Sequence, residues 1–210
     1  MENVKRSIAE MLLQIKAIKL NPTNYFTWAS GWRSPIYCDN RKVLSYPAAR
    51  EQVSRAFAEI VAARYPDAEV LAGVATGAIA HGVLAAERMG LPFIYVRSSP
   101  KEHGLSNRVE GEYRPGARVV VIEDLVSTGG SSLNAVEALC NAGCEVLGMA
   151  AIFTYGFPQA EAGFAAAGVA LDTLSDYPTM IALAAEQGYV QPSEFETLAE
   201  WRRSPETWKK

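Results

Sequence analysis

The stretch Val119-Val120-Val121-Ile122-Glu123-Asp124-Leu125-Val126-Ser127-Thr128-Gly129-Gly130-Ser131-Ser132 runs from a continuous apolar segment, through two acids, into a row of hydroxyl residues and glycines. A run of Val and Ile with no polar alternation suits a strand buried on both faces. The small polar residues that follow, ahead of Leu133, Ala135, Val136 and Leu139, mark a tight loop opening a helix near residue 131. Strand, loop and helix in that order form half of a parallel crossover unit.

The same alternation extends to both sides. Short β-rich runs at 70–74, 93–96, 118–122 and 145–153 are separated by helical stretches at 78–89 and 131–142. The pattern predicts an α/β fold: a doubly wound, mainly parallel sheet flanked by helices. Before it, Val4, Ile8, Met11, Leu12, Ile15 and Ile18 keep helical spacing over 4–18. Residues 21–45 are irregular, with a short strand expected at 34–37, and Ser45 followed by Pro47 reads as a helix start. After residue 155 the pattern predicts a helix at about 158–167, a strand at 170–174 and one or two closing helices. The whole, 1–210, reads as a single domain: a core of about 46–175 and a small N-terminal hood subregion of about 1–45 joined by the C-terminal tail.

Bulk properties exclude several classes. A chain of 210 residues with 49% apolar and 20% charged residues is ordinary for a globular protein. A net charge of −3 gives no field for non-specific nucleic-acid binding. No apolar run approaches the roughly 18 residues of a membrane span. A soluble, cytoplasmic protein without nucleic-acid or membrane partners is expected. Cys38, Cys140 and Cys144 form no Cys-x-x-Cys pair, so neither a zinc site nor a disulfide framework is expected.

Ligands of open parallel sheets bind beyond the carboxyl ends of the strands. There the 127–131 loop offers glycines that let the backbone approach, hydroxyls from Ser127, Thr128, Ser131 and Ser132, and a helix N-terminus, which together suit a phosphate monoester. Two carboxylates would repel a bare phosphate, so Glu123 and Asp124 call for ribose hydroxyls or a hydrated Mg²⁺ instead. The alternative is a plain strand end with a helix-capping serine.

The segment resembles the phosphoribosyl pyrophosphate (PRPP) motif of type I phosphoribosyltransferases. The resemblance implies that Glu123 and Asp124 contact the ribose, that Ser127, Thr128, Gly129, Gly130 and Ser131 form the 5-phosphate cradle, and that Leu125 and Val126 belong to the same PRPP-binding stretch. Gly73-Val74-Ala75-Thr76-Gly77-Ala78 is similar to the family's pyrophosphate turn, which brings in Thr76 and Gly77.

The long charged stretch 97–113 reads by itself as either a solvated loop or a functional one. It resembles the mobile loop of orotate phosphoribosyltransferases, with Arg97, Lys101, His103 and Gly104 in register. In that family the loop reaches the neighbouring subunit, implying a homodimer in which Lys101 and His103 serve the partner's site. Some members carry a lysine after the arginine; this chain has Ser98. Phe26-Thr27-Trp28-Ala29-Ser30-Gly31-Trp32-Arg33-Ser34-Pro35 and the tail from Leu174 are similar to the same family. A planar anionic pyrimidine wants aromatic walls, donors and a cation, so Phe26 and Arg41 are candidate orotate contacts, and the resemblance adds Ser127 as the position that contacts orotate in a subgroup of the family. A family lysine is Ala29 here, Tyr-Lys is Thr76-Gly77, and a base-contacting arginine is replaced by Phe153-Thr154-Tyr155.

The implied activity is that of a pentosyltransferase of pyrimidine biosynthesis joining orotate to PRPP. Lys101, His103 and Asp124 are the catalytic candidates. Mg²⁺ is expected to arrive with PRPP near Glu123 and Asp124, without a firm direct ligand. The rivals are a purine phosphoribosyltransferase and a non-catalytic PRPP sensor, the latter lacking room for a DNA-binding module.

Overall fold

The computed structural model describes residues 2–99 and 108–209. Six strands form the central sheet. Helix α1 (Glu2–Gln14), strands β1 (Ile18–Leu20), β2 (Phe26–Thr27), β3 (Arg33–Ser34) and β4 (Ile36–Cys38), and a 3-10 helix (Asn40–Ser45) precede α2 (Pro47–Arg64). The core alternates β5 (Val70–Val74), α3 (Ile79–Met89), β6 (Phe93–Val96), β7 (Val109–Glu110), β8 (Arg118–Val126), α4 (Gly130–Asn141), β9 (Glu145–Thr154), α5 (Pro158–Ala167) and β10 (Leu171–Asp176). Helices α6 (Tyr177–Glu186) and α7 (Phe195–Arg203), with a 3-10 turn between them, close the chain.

The sheet order is β10-β9-β8-β5-β6-β7, parallel except for the edge strand β7. The mainly parallel, doubly wound sheet is therefore present. From β5 the chain steps outward through α3 to β6, then returns to the opposite side of β5 as β8. This reversal opens a crevice between the carboxyl ends of β5 and β8, the usual ligand position of such sheets.

Alternation along β8 divides the core. Val120 and Ile122 join the cluster built with α1, α2 and the hood, whereas Val119 and Val121 join the one under α4 and α5. Glycines allow the close layers: a Cβ at Gly73 would lie 2.8 Å from the Phe93 ring.

Two expectations are corrected. The first helix ends at Gln14 rather than 18, because Lys16 turns to φ 54° and Ile18 enters β1, paired antiparallel with β4. The strand expected at 118–122 runs on to Val126, since β9 continues alongside it to Thr154 and the ladder still pays out hydrogen bonds. Strand β7 and the 3-10 helix were not foreseen. Among the described residues no helix is long and apolar enough to cross a membrane.

The hood closes around aromatic rings. Trp201, fully buried, meets Trp28, Tyr155, Phe157 and Tyr177 at centroid distances of 5.6–5.8 Å. Trp28 also donates from its indole to the Ile36 carbonyl at 3.0 Å. Helix α1 is held against the tail by Lys5–Asp176 (2.6 Å), by the Ser175 hydroxyl donating to the Lys5 carbonyl (2.9 Å), and by Gln187 donating to Glu10 (3.0 Å).

Candidate active site

The crevice between β5 and β8 is built from three turns. The first follows β8. Gly129 adopts φ 84°, which only glycine takes without strain, and starts α4 at Gly130. The first intrahelical bond runs from the Leu133 N–H to the Gly129 carbonyl (2.9 Å). The N–H groups of Gly130, Ser131 and Ser132 precede it in the helix, and the first turn carries no acid and no side-chain cap. That is an open donor set at a positive dipole end. Ser127 and Thr128 are half-buried, while Gly130 and Ser131 are exposed. Leu125 is half-buried. Val126 is fully buried and its carbonyl accepts from Thr154 Oγ1 (3.1 Å), so its side chain belongs to the core beneath the turn.

The two acids part company. Because β8 runs through them, pleating sends their side chains to opposite faces. Glu123 is only 4% exposed; its carboxylate accepts from the Ser132 hydroxyl (2.9 Å) and from the Asp124 N–H (2.9 Å). Burial, and then the charge of Asp124, raises its pKa well above the ordinary carboxylate value. The expectation that both acids face the crevice is thus corrected, and the Ser132 hydroxyl, expected among the phosphate donors, is spent on Glu123. Asp124 points the other way: its carboxylate occupies the space beside Gly77, where a Cβ would lie 2.5 Å from its carboxyl carbon.

The second turn is 75–78, after β5. It contains a cis Ala75–Thr76 bond, and the Ala75 N–H donates to the Val96 carbonyl (2.8 Å). Thr76 is exposed and Gly77 half-buried. The third is the stem after β6. Arg97 N–H donates to the Arg108 carbonyl (2.8 Å), Arg108 Nε donates to the Arg97 carbonyl (3.0 Å), and Arg97 Nη1 lies 3.6 Å from Glu110 Oε1. A cavity of about 440 Å³ is shared by Thr76, Tyr95, Arg97, Ser98 and Glu110. Lys101, His103 and Gly104 lie outside the described residues.

The hood contributes from above. Asn40, buried, donates through its side-chain amide to the Asp124 carbonyl (2.5 Å), and its backbone lies beside the ring of His81 in α3. Burial lowers the pKa of that imidazole, with the Asp124 charge opposing. Cys38 donates to the Asn40 side chain (3.3 Å), and burial followed by the Asp124 charge raises its thiol well above the ordinary range. Arg41 is exposed and grips Asp39 through Nε (2.7 Å) and Nη2 (3.1 Å). That bond lowers the Asp39 pKa. Phe26 is half-buried with its ring 5.7 Å from that of Tyr37. Phe153 and Tyr155 are buried in the aromatic cluster around Trp201. A cation reaches that corner from elsewhere: Arg202 Nη2 donates to the Gly156 carbonyl (3.2 Å) and its guanidinium lies 5.5 Å from the centre of the Tyr177 ring. Neither Asn40 nor Arg202 was singled out beforehand. Both act over long sequence separations that leave no local pattern.

Among the described residues no group of three or more His, Cys, Asp or Glu side chains is placed to hold a metal. A single carboxylate at the crevice suits an ion that comes with most of its ligands supplied by substrate phosphates and water.

Comparison with known proteins adds a family context. Residues 40–162 match the phosphoribosyl transferase domain family. The orotate phosphoribosyltransferase of Porphyromonas gingivalis is 58% identical over 208 residues, spanning 99% of both chains. Among solved structures, the orotate phosphoribosyltransferase of Aeropyrum pernix matches with a TM-score of 0.76 at 28% identity, over 88% of this chain and 99% of its own. The UMP synthase of Leishmania donovani matches with a TM-score of 0.80 at 27% identity, over 95% of this chain, which spans 42% of that longer one.

Proposed function

The chain belongs to the orotate phosphoribosyltransferase family, and from that premise we propose how its own residues join orotate to PRPP, yielding orotidine 5'-phosphate and pyrophosphate for pyrimidine nucleotide synthesis. The observation that carries the proposal is the meeting of Asp124 with the Gly77 turn at the sheet's reversal point, beside the open N-terminus of α4. The hood and core act as one phosphoribosyltransferase domain over this crevice.

The 5-phosphate rests on the N–H groups at the start of α4, with Ser127, Thr128 and Ser131 adding hydroxyls. Asp124 accepts from the ribose diol. Glu123 braces the cradle from beneath by tying β8 to α4 through Ser132. Pyrophosphate lies along Thr76, Gly77 and Arg97. Orotate stacks under the hood near Phe26, with Ser127 as a donor and Arg41 as the cation, once its hold on Asp39 loosens.

In the reaction a ring nitrogen of orotate attacks the anomeric carbon, the bond to pyrophosphate breaks with its electron pair leaving on oxygen, and the proton of that nitrogen passes to the departing pyrophosphate. Positioning and stabilisation of the charge that develops on pyrophosphate supply most of the rate. Lys101 and His103, contributed by a second copy of the chain in a homodimer, stabilise the departing charge and exclude water. Asp124 is the carboxylate beside which Mg²⁺ would arrive with PRPP, and the ion would supply charge neutralisation for pyrophosphate.

The test is direct. Purified protein with PRPP and Mg²⁺ should consume orotate, followed by its ultraviolet absorbance, and lose that activity without Mg²⁺. Consumption of a purine base instead of orotate would overturn the assignment. Lys101→Ala should cut turnover at least about 10²-fold, the scale of one preorganised charge, without lowering the melting temperature. Wild-type turnover in that variant would remove the loop from the mechanism.

A further inference from the structure

The carboxylate of Glu110 stands in the wall of the cavity assigned above to pyrophosphate. Its place is set by the sheet. Glu110 belongs to β7, and its ladder partner is Tyr95 of β6, one strand in from the edge. From there its Oε1 lies 3.6 Å from Arg97 Nη1, with the two side chains 22% and 34% exposed. The backbones on either side are locked by the reciprocal bonds between residues 97 and 108. An acid fixed in this way cannot drift from the cavity as a loop residue could.

An acid in a pocket for a multiply charged anion works against binding, because like charges in a partly desolvated site repel more strongly than in water. It also occupies the cation that the anion needs. We propose that Glu110 is the counter-ion that Arg97 exchanges for pyrophosphate, and that this residue governs how readily the product departs. The inference rests on the assignment of Arg97 and the 75–77 turn to pyrophosphate.

Without ligand, Glu110 offers Arg97 a counter-charge 3.6 Å away. When pyrophosphate enters, Arg97 turns toward it while Glu110 keeps its place in the same cavity wall. Free pyrophosphate carries more charge than the esterified group of PRPP, and PRPP is held at its other end by the phosphate cradle. The penalty therefore falls more heavily on product than on substrate. An acid so placed favours release of the product.

The experiment compares the full-length wild type with Glu110→Gln, using inorganic pyrophosphate as the probe in calorimetric titration and as a product inhibitor. Glu112→Gln, an exposed acid two residues along, controls for net charge. In Glu110→Gln the dissociation constant for pyrophosphate should fall about three- to fivefold, the scale of one partly exposed charge pair. The KM for PRPP should change less than about twofold, and the gain should shrink with added salt. Glu112→Gln should resemble wild type. Unchanged or weaker pyrophosphate binding in Glu110→Gln overturns the proposal, as does an equal gain in Glu112→Gln. A wild type that binds no pyrophosphate would instead overturn the assignment of the cavity itself.

Discussion

Gly77→Ala offers a sharp test of the crevice. A Cβ at residue 77 would lie 2.5 Å from Asp124 Cγ and 2.7 Å from Oδ1, where ordinary contacts begin at 3.4 Å. The obstacle is the far end of a side chain, so the carboxylate must retreat by about 1 Å while the backbone stays. Forcing one side chain off its rotamer costs about 0.5–1.5 kcal/mol, a loss of roughly 2–5 °C in Tm for a chain of this size. The functional cost should be larger. A displaced carboxylate forfeits charge-assisted hydrogen bonds to the ribose diol, each worth about 1.5–3 kcal/mol. A total near 3 kcal/mol lowers kcat/KM about 10²-fold. The assay is orotate consumption at subsaturating PRPP, beside thermal unfolding of the same samples. Added to Asp124→Ala, the alanine at 77 should cost almost nothing further, since the group it displaces is gone. Activity within about threefold of wild type, or penalties that multiply in the double variant, would refute the reasoning.

Three more expectations concern the same region. Glu123 has its folded pKa raised by burial, so its contribution to stability is fully present below its ordinary value of 4.5 and lost as pH rises through the folded value. Glutamine at 123 does not titrate there, so the melting temperature of Glu123→Gln relative to wild type should climb from pH 4.5 toward neutrality; a flat or falling difference contradicts this. Asn40→Ala leaves the Asp124 carbonyl without its buried donor, which should cost about 1–3 kcal/mol in denaturant unfolding; a loss under about 0.5 kcal/mol would show that bond to be unimportant. Trp201→Ala removes the centre of the hood's ring cluster and should cost about 3–5 kcal/mol, with loss of near-ultraviolet circular dichroism; an unchanged aromatic spectrum would argue against the packing described.

Much of this was legible in the chain itself. The core strands announce themselves because Val and Ile runs buried on both faces need no partner to be recognised. Helix α5 matches its expected bounds of 158–167 because Pro158 starts it and Gly168, at φ 66°, stops it. The misreadings have one cause: pairing across space overrides local pattern. Ile15 and Ile18 keep helical spacing, yet the ladder between β1 and β4 claims Ile18. Glu123 and Asp124 look like a loop until β9 extends β8 past them and splits their faces. The bond from Asn40 to Asp124 spans 84 positions, and that from Arg202 to Gly156 spans 46. No window of neighbouring residues carries such information. The approach of Gly77 to Asp124 was hidden for the same reason.

The seam between α1 and the tail has a consequence for synthesis. Lys5 bonds to a residue 171 positions further on, so the first helix leaves the ribosome long before its partner exists. At about 5–20 residues per second the interval is on the order of ten seconds. Throughout it the face bearing Ile8, Leu12 and Leu13 lacks the cover that β10 and α6 supply. The roof over the crevice is finished only when Trp201 emerges and slots beside Trp28. Nascent chains stalled short of α7 should therefore be sticky and unable to turn over substrate, even with every phosphate-binding residue already made.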